Sequence, residues 1–71
     1  MKPDWKDAPE WAQWLAMDED GEWCWFDYRP FAEDQWCKWE VSIGRYAIAD
    51  HHNNQVNSNW RETLESRPEE S

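Results

Sequence analysis

Cys24, Cys37, His51 and His52 make a chemically sensible Cys2His2 set for zinc, whose structural sites take four tetrahedral sulfur and nitrogen ligands. Their spacing argues against that chemistry. Neither cysteine belongs to a Cys-x-x-Cys pair, and adjacent histidines point in different directions on any regular backbone. The expectation is two buried thiols and a polar loop, with no metal. A second concentration of reactive groups is Asp18, Glu19, Asp20 and Glu22, placed around Gly21. Paired carboxylates do acid and base work when a cleft pushes their pKa values apart. On a turn of so short a chain they stay solvated. No glycine-rich phosphate loop or Ser/His/Asp set in a recognisable context is present. The chain therefore reads as non-enzymatic and without a cofactor.

What carboxylates on a rigid turn can do is present charge. The formal net charge is −9, and residues 1–40 hold most of it, with 11 acids against 4 bases. Asp27, Glu33 and Asp34 follow the turn on the next strand and connection, and all seven carboxylates are expected along one rim of the sheet. Such a row imitates the spacing of duplex phosphates and complements a basic groove. The plainer reading is that the charge serves solubility alone. Direct nucleic-acid binding is disfavoured, because aromatic platforms that stack bases lie in positively charged grooves and the seven bases here are scattered. No segment approaches membrane-spanning length, and Met1-Lys2-Pro3-Asp4-Trp5 lacks the apolar run of a secretory signal. A cytosolic location is expected, where thiols stay reduced.

A chain of 71 residues has room for one small domain, expected over residues 1–66 with a flexible tail at 67–71. Its unusual resource is eight tryptophans, each able to bury on the order of 200 Å², and these are the expected staples of a marginal core. Trp5 is the anchor of an extended arm. Asp7-Ala8-Pro9-Glu10 fits a helix N-terminus, and Trp11, Trp14 and Leu15 give a short helical stripe. Trp14–Asp18 can close that helix or begin a strand; a strand from Leu15 is favoured because Asp20-Gly21 signals a hairpin, with positive φ at both positions. Glu22–Tyr28 is then a strand apolar on both faces, Trp23 and Trp25 on one side and Cys24, Phe26 and Tyr28 on the other.

After Arg29-Pro30 and a polar connection over Phe31–Gln35, Trp36–Ile43 alternates as a half-buried strand. Pairing it antiparallel with Glu22–Tyr28 sets Trp25 opposite Trp36 and Cys24 opposite Cys37, within disulfide reach if the compartment oxidises. Gly44 marks a break before a short strand at Arg45–Ala49, Asp50–Gln55 reads as a loop, and Trp60 with Leu64 suggests a last helical turn. The fold class expected is α+β: a three- to four-stranded antiparallel meander with a short N-terminal helix and a short C-terminal helical turn.

Two likenesses can be drawn from these segments. Trp14 and Trp36 flanking Gly21-x-Trp23-x-Trp25-Phe26 suggests a WW module for proline-rich ligands, but no proline follows Trp36 or Trp39 in the second half. Ala8-Pro9-Glu10-Trp11-Ala12, Asp20-Gly21-Glu22-Trp23-Cys24-Trp25-Phe26, Arg29-Pro30 and Trp60–Pro68 resemble small acidic, tryptophan-rich proteins of tailed bacteriophages. That resemblance covers about half the chain and carries no active site. It implies expression in the cytoplasm of an infected bacterium and a partner that is a basic, nucleic-acid-handling host protein. On this reading Asp18, Glu19, Asp20, Glu22, Asp27, Glu33 and Asp34 are the candidate contact residues. The alternative is an adaptor or virion component that binds through exposed tryptophans. A homodimer through an edge strand is a further possibility.

Overall fold

The computed structural model describes residues 2–51 and 55–69. Met1, Glu70 and Ser71 lie outside the described residues, as do His52, Asn53 and Asn54 of the expected loop. The acidic turn joins Trp14–Met17 (β1) to Trp23–Phe26 (β2), which pair antiparallel with Leu15 opposite Trp25 and Ala16 opposite Cys24. The hairpin is the expected one, but its turn is one residue longer. Asp18 N–H bonds the Glu22 carbonyl at 2.9 Å, and Gly21 N–H bonds the Asp18 carbonyl at 2.9 Å, leaving Glu19–Gly21 outside the ladder. Gly21 takes φ 90° while Asp20 does not enter the positive region, so this is a three-residue loop ending in a left-handed glycine.

Outside that hairpin the architecture departs from the α+β expectation. A four-stranded antiparallel sheet runs in the order β5-β2-β1-β6, with Tyr46–Asp50 as β5 and Glu65–Ser66 as β6. A separate two-stranded sheet pairs Phe31–Glu33 (β3) with Lys38–Glu40 (β4). The helices are lone 3-10 turns, Trp5–Asp7 and Trp60–Glu62. The expected N-terminal helix does not form: Ala8 sits extended before Pro9 at φ −71°, ψ 146°, and Trp14–Met17, which would have completed its second turn, is taken up as β1. Asp4 caps the first turn instead, accepting from Lys6 N–H at 3.0 Å.

The expected pairing of Glu22–Tyr28 with Trp36–Ile43 does not form. Phe26 faces Tyr46 and Cys24 faces Ile48, so neither Trp25 and Trp36 nor Cys24 and Cys37 oppose one another, and both thiols are free. The expected connection at Phe31–Gln35 supplies β3, and the four residues 34–37 close a local hairpin onto β4 with Cys37 in the left-handed region at φ 54°. Alternation survives only around Trp39: Cys37 and Val41 pack on the core beside it, whereas Ile43 is exposed.

Both faces of β2 are covered, as its pattern requires. On one side Leu15 and Trp25 pack with Trp5 and Ala12; on the other Ala16, Cys24 and Phe26 pack with Trp39 and Trp60. Trp5 meets Trp25 at 4.9 Å between ring centroids, and Trp39 meets Trp60 edge-on at 5.8 Å. Burying one indole contributes roughly 4–6 kcal/mol from area alone before ordering costs. One disulfide is worth about 2–4 kcal/mol, so Trp5, Trp25, Trp39 and Trp60 outweigh the single bridge that two cysteines would allow.

The two ends of the chain are tied together over this core. Trp5 Nε1 donates to the Glu65 carboxylate, which also pairs with Lys2 at 2.7 Å. Arg67 N–H bonds the Gln13 carbonyl at 2.8 Å, and its guanidinium reaches the carbonyls of Ala12 at 2.7 Å and Pro9 at 3.2 Å. Arg67 is thus bonded to three carbonyls between Pro9 and Gln13.

Candidate functional site

The acidic turn is held by its own backbone to two neighbouring segments. Glu19 N–H bonds the Cys37 carbonyl at 3.0 Å, while the Glu19 carbonyl accepts from Asn57 N–H at 2.8 Å and from Asn57 Nδ2 at 2.9 Å. Within the turn, Glu22 N–H bonds Asp20 Oδ1 at 3.0 Å. A loop so bonded presents its side chains in fixed places. The four carboxylates do not play one role, however.

Asp18 faces inward. Its Oδ1 accepts the Trp39 backbone N–H at 2.8 Å and so anchors β4 to the main sheet, next to the Trp39 indole that donates to the Met17 carbonyl at 3.0 Å. Burial pushes the Asp18 carboxyl up to about 6; the Trp39 bond opposes this, and the charges of Asp20 and Glu22 add to it. The fold therefore requires Asp18 for structure, which its position in a turn does not reveal. Of the remaining three, Asp20 is exposed while Glu19 and Glu22 are half-buried, Glu22 accepting the Cys24 thiol at 3.8 Å, and no lysine or arginine among the described residues forms an ion pair with any of them.

The other three candidates separate. Asp34 lies on the β3–β4 loop and pairs with Arg61, which neutralises it. Glu33 ends β3 opposite Lys38 and accepts from Gln35 N–H at 2.9 Å. Asp27 follows β2 at the end away from the turn and holds Arg45 through its N–H at 2.7 Å and its guanidinium at 3.4 Å. The single rim expected for all seven is therefore not formed: the loop bond between Glu19 and Cys37 brings the two turns together, and Asp27 stands apart.

A depression of about 270 Å³ lies between the acidic turn and Trp36, Cys37 and Lys38. Trp36 is 68% exposed, in contrast to the other seven tryptophans, which are buried or half-buried. Sequence alternation places Trp36 inside a strand, and only its position at the head of that pattern hints that it belongs to a loop. The thiols bring no nucleophile to this site. Burial and the nearby Asp18 and Glu22 carboxylates push Cys24 up to about 12, and burial with the Glu19 charge raises Cys37. Among the described residues no three His, Cys, Asp or Glu side chains converge to hold a metal ion.

Fold and site together define a small antiparallel β protein with tryptophans on both sheet faces and an anchored acidic turn at one end. No protein family, curated protein or solved structure matches the chain. No helix among the described residues is long and apolar enough to cross a membrane.

Proposed function

We propose that this chain is a non-enzymatic accessory protein of a tailed bacteriophage. It acts in the cytoplasm of the bacterial host, where it binds and inhibits a basic protein that handles nucleic acid: a polymerase, topoisomerase, nuclease or CRISPR complex. Negative charge that imitates DNA supplies part of the attraction. One observation supports this most: Glu19, Asp20 and Glu22, the first and last half-buried and Asp20 exposed, have no ion-paired lysine or arginine among the described residues and stand on a turn whose backbone is bonded to two neighbouring segments. Fixed charges lose little freedom on binding, and clustered charge of one sign speeds association with a basic groove.

The test is a Glu19→Gln/Asp20→Asn/Glu22→Gln variant that leaves Asp18 in place. Host proteins retained by the unaltered chain are identified, and their nucleic-acid activity is titrated with both forms. The variant should keep its melting temperature, lose about tenfold or more in affinity, and show a shallower salt dependence. Equal potency of the two forms would sink the electrostatic reading.

The second reading, a tryptophan-mediated adaptor or virion component, rests on Trp36 alone. Trp36→Ala tests it, and loss of binding there with no effect of the charge variant would favour it.

A further inference from the structure

The main sheet ends on β5, an edge whose one irregularity is the extra residue Ala49 between Ile48 and Asp50, opposite Trp23 and Cys24. The opposite edge, β6, has two residues and is followed by Arg67-Pro68. In the small sheet β3 begins directly after Pro30, and β3 and β4 are three residues each. β5 is the longest strand, Tyr46-Ala47-Ile48-Ala49-Asp50, with no proline, glycine or lysine to block an incoming chain. Asp27 N–H bonds the Arg45 carbonyl at 3.2 Å. Antiparallel alternation then turns Ala47 towards β2 and leaves the N–H and C=O groups of Tyr46 and Ile48 facing outward. Their side chains are exposed as well, 65% for Tyr46 and 48% for Ile48.

Grooves flank this edge on both faces of the sheet. One, of about 430 Å³, lies over Trp25, Ala47 and Ala49 and carries Asp4, Asp7 and Asp50. The other, of about 250 Å³, lies over Phe26 and Tyr46 and carries Asp18, Glu22 and Glu40. Among the described residues Lys38 is the one lysine or arginine lining either groove, and it is paired with Glu40 at 2.9 Å. An edge strand bordered by carboxylates above and below selects its occupant by charge. A second copy of this chain brings the same −9, and antiparallel pairing centred on Ile48 would set Tyr46 against Asp50 with both sets of carboxylates adjacent.

We infer that β5 is a docking edge for an extended, lysine- or arginine-bearing segment of a partner protein, which joins the sheet as a fifth strand. Its backbone bonds Tyr46 and Ile48. Successive side chains alternate between the two grooves, so that basic residues meet carboxylates on either face. The inference rests on the proposal of a basic partner and names the element that would grip it.

The probe is a synthetic nine-residue peptide in which pairs of lysines alternate with pairs of valines, so that lysines fall on both faces of the strand, with the same peptide carrying glutamate for lysine as control, titrated into isotope-labelled protein. Binding of the lysine peptide alone, with amide exchange at Tyr46 and Ile48 slowed tenfold or more, is the expected result. Ile48→Pro removes an outward N–H without touching the β2 ladder and should weaken binding at least tenfold. If that variant does not fold, exchange at the two amides of the unaltered chain decides. Absence of binding at millimolar peptide overturns the edge. So does binding that perturbs only the Glu19–Glu22 turn and survives Ile48→Pro, although the acidic-turn reading would then stand. Tyr46 and Ile48 amides already protected in a sedimenting dimer would also overturn it, in favour of self-pairing.

Discussion

Asp18→Asn should make the protein more stable at neutral pH, although it removes a charge from an acceptor that the fold uses. The Asp18 carboxyl is raised from an ordinary 3.8 to about 6, chiefly by burial, so its charged form is disfavoured in the folded state. The unfolded chain gives up this proton near pH 4 and the folded chain near pH 6. Between them the folded state holds more protons, so stability falls as pH rises from about 4 to 6 and is flat above. A shift of about two units sets a ceiling of roughly 3 kcal/mol. Because the carboxyl is partly exposed and screened by water, about 1 kcal/mol is the expected gain on neutralising it. Asparagine keeps an oxygen for the Trp39 N–H now bonded at 2.8 Å. Alanine does not, and Asp18→Ala should be about 1–2 kcal/mol less stable than Asp18→Asn because a backbone donor is left unmet. Urea unfolding followed by tryptophan fluorescence measures both at pH 7.5 and pH 3.5. A gain of 1 kcal/mol corresponds to about 4–8 °C in melting temperature for a domain of this size. The advantage of asparagine should vanish at pH 3.5. An Asn variant less stable than the parent at pH 7.5, or an advantage unchanged at pH 3.5, would refute the reasoning.

Thr63→Val should cost about 1–3 kcal/mol in the same unfolding assay, since Thr63 Oγ1 accepts the Met17 N–H at 2.9 Å and valine leaves that donor unmet. Gly44→Ala should cost about 2 kcal/mol or more: Gly44 has φ +98°, and an added Cβ would collide with the Asp27 carboxylate and the Tyr28 ring. Cys24, buried and with its thiol raised to about 12, should resist iodoacetamide in the native state at pH 8 and react only on unfolding, as mass spectrometry of the intact chain reads directly.

The parts of the fold legible in the sequence are those decided locally. Asp20-Gly21 between apolar segments fixes the β1–β2 hairpin, and tryptophans on one side of β2 with Cys24 and Phe26 on the other predict a strand covered on both faces. Partner choice was not legible. Alternation around Trp39 identifies a buried face but not the strand beside it, and a four-residue loop lets β4 close on β3 while β5 takes the edge of β2. The capping pattern at Asp7–Glu10 misleads because two helical turns cannot hold themselves and Trp14–Met17 gains a ladder on each side in the sheet. At the candidate site the clustering of Glu19, Asp20 and Glu22 is read from spacing alone. The inward role of Asp18 depends on Trp39, 21 residues away, which no local pattern encodes.

The clasp between the chain ends imposes an order of assembly. Contacts spanning 55–60 residues, from Trp5 to Glu65 and from Ala12 to Arg67, carry a high loop-closure cost and depend on β1 being in place to receive β6. The hairpin can form early, but the hydrogen bond from Trp5 Nε1 waits for Glu65 to arrive. Until then the Trp5 indole can stack on Trp25 but its N–H has no carboxylate to bond, so the arm is held by apolar contact alone until the last strand arrives.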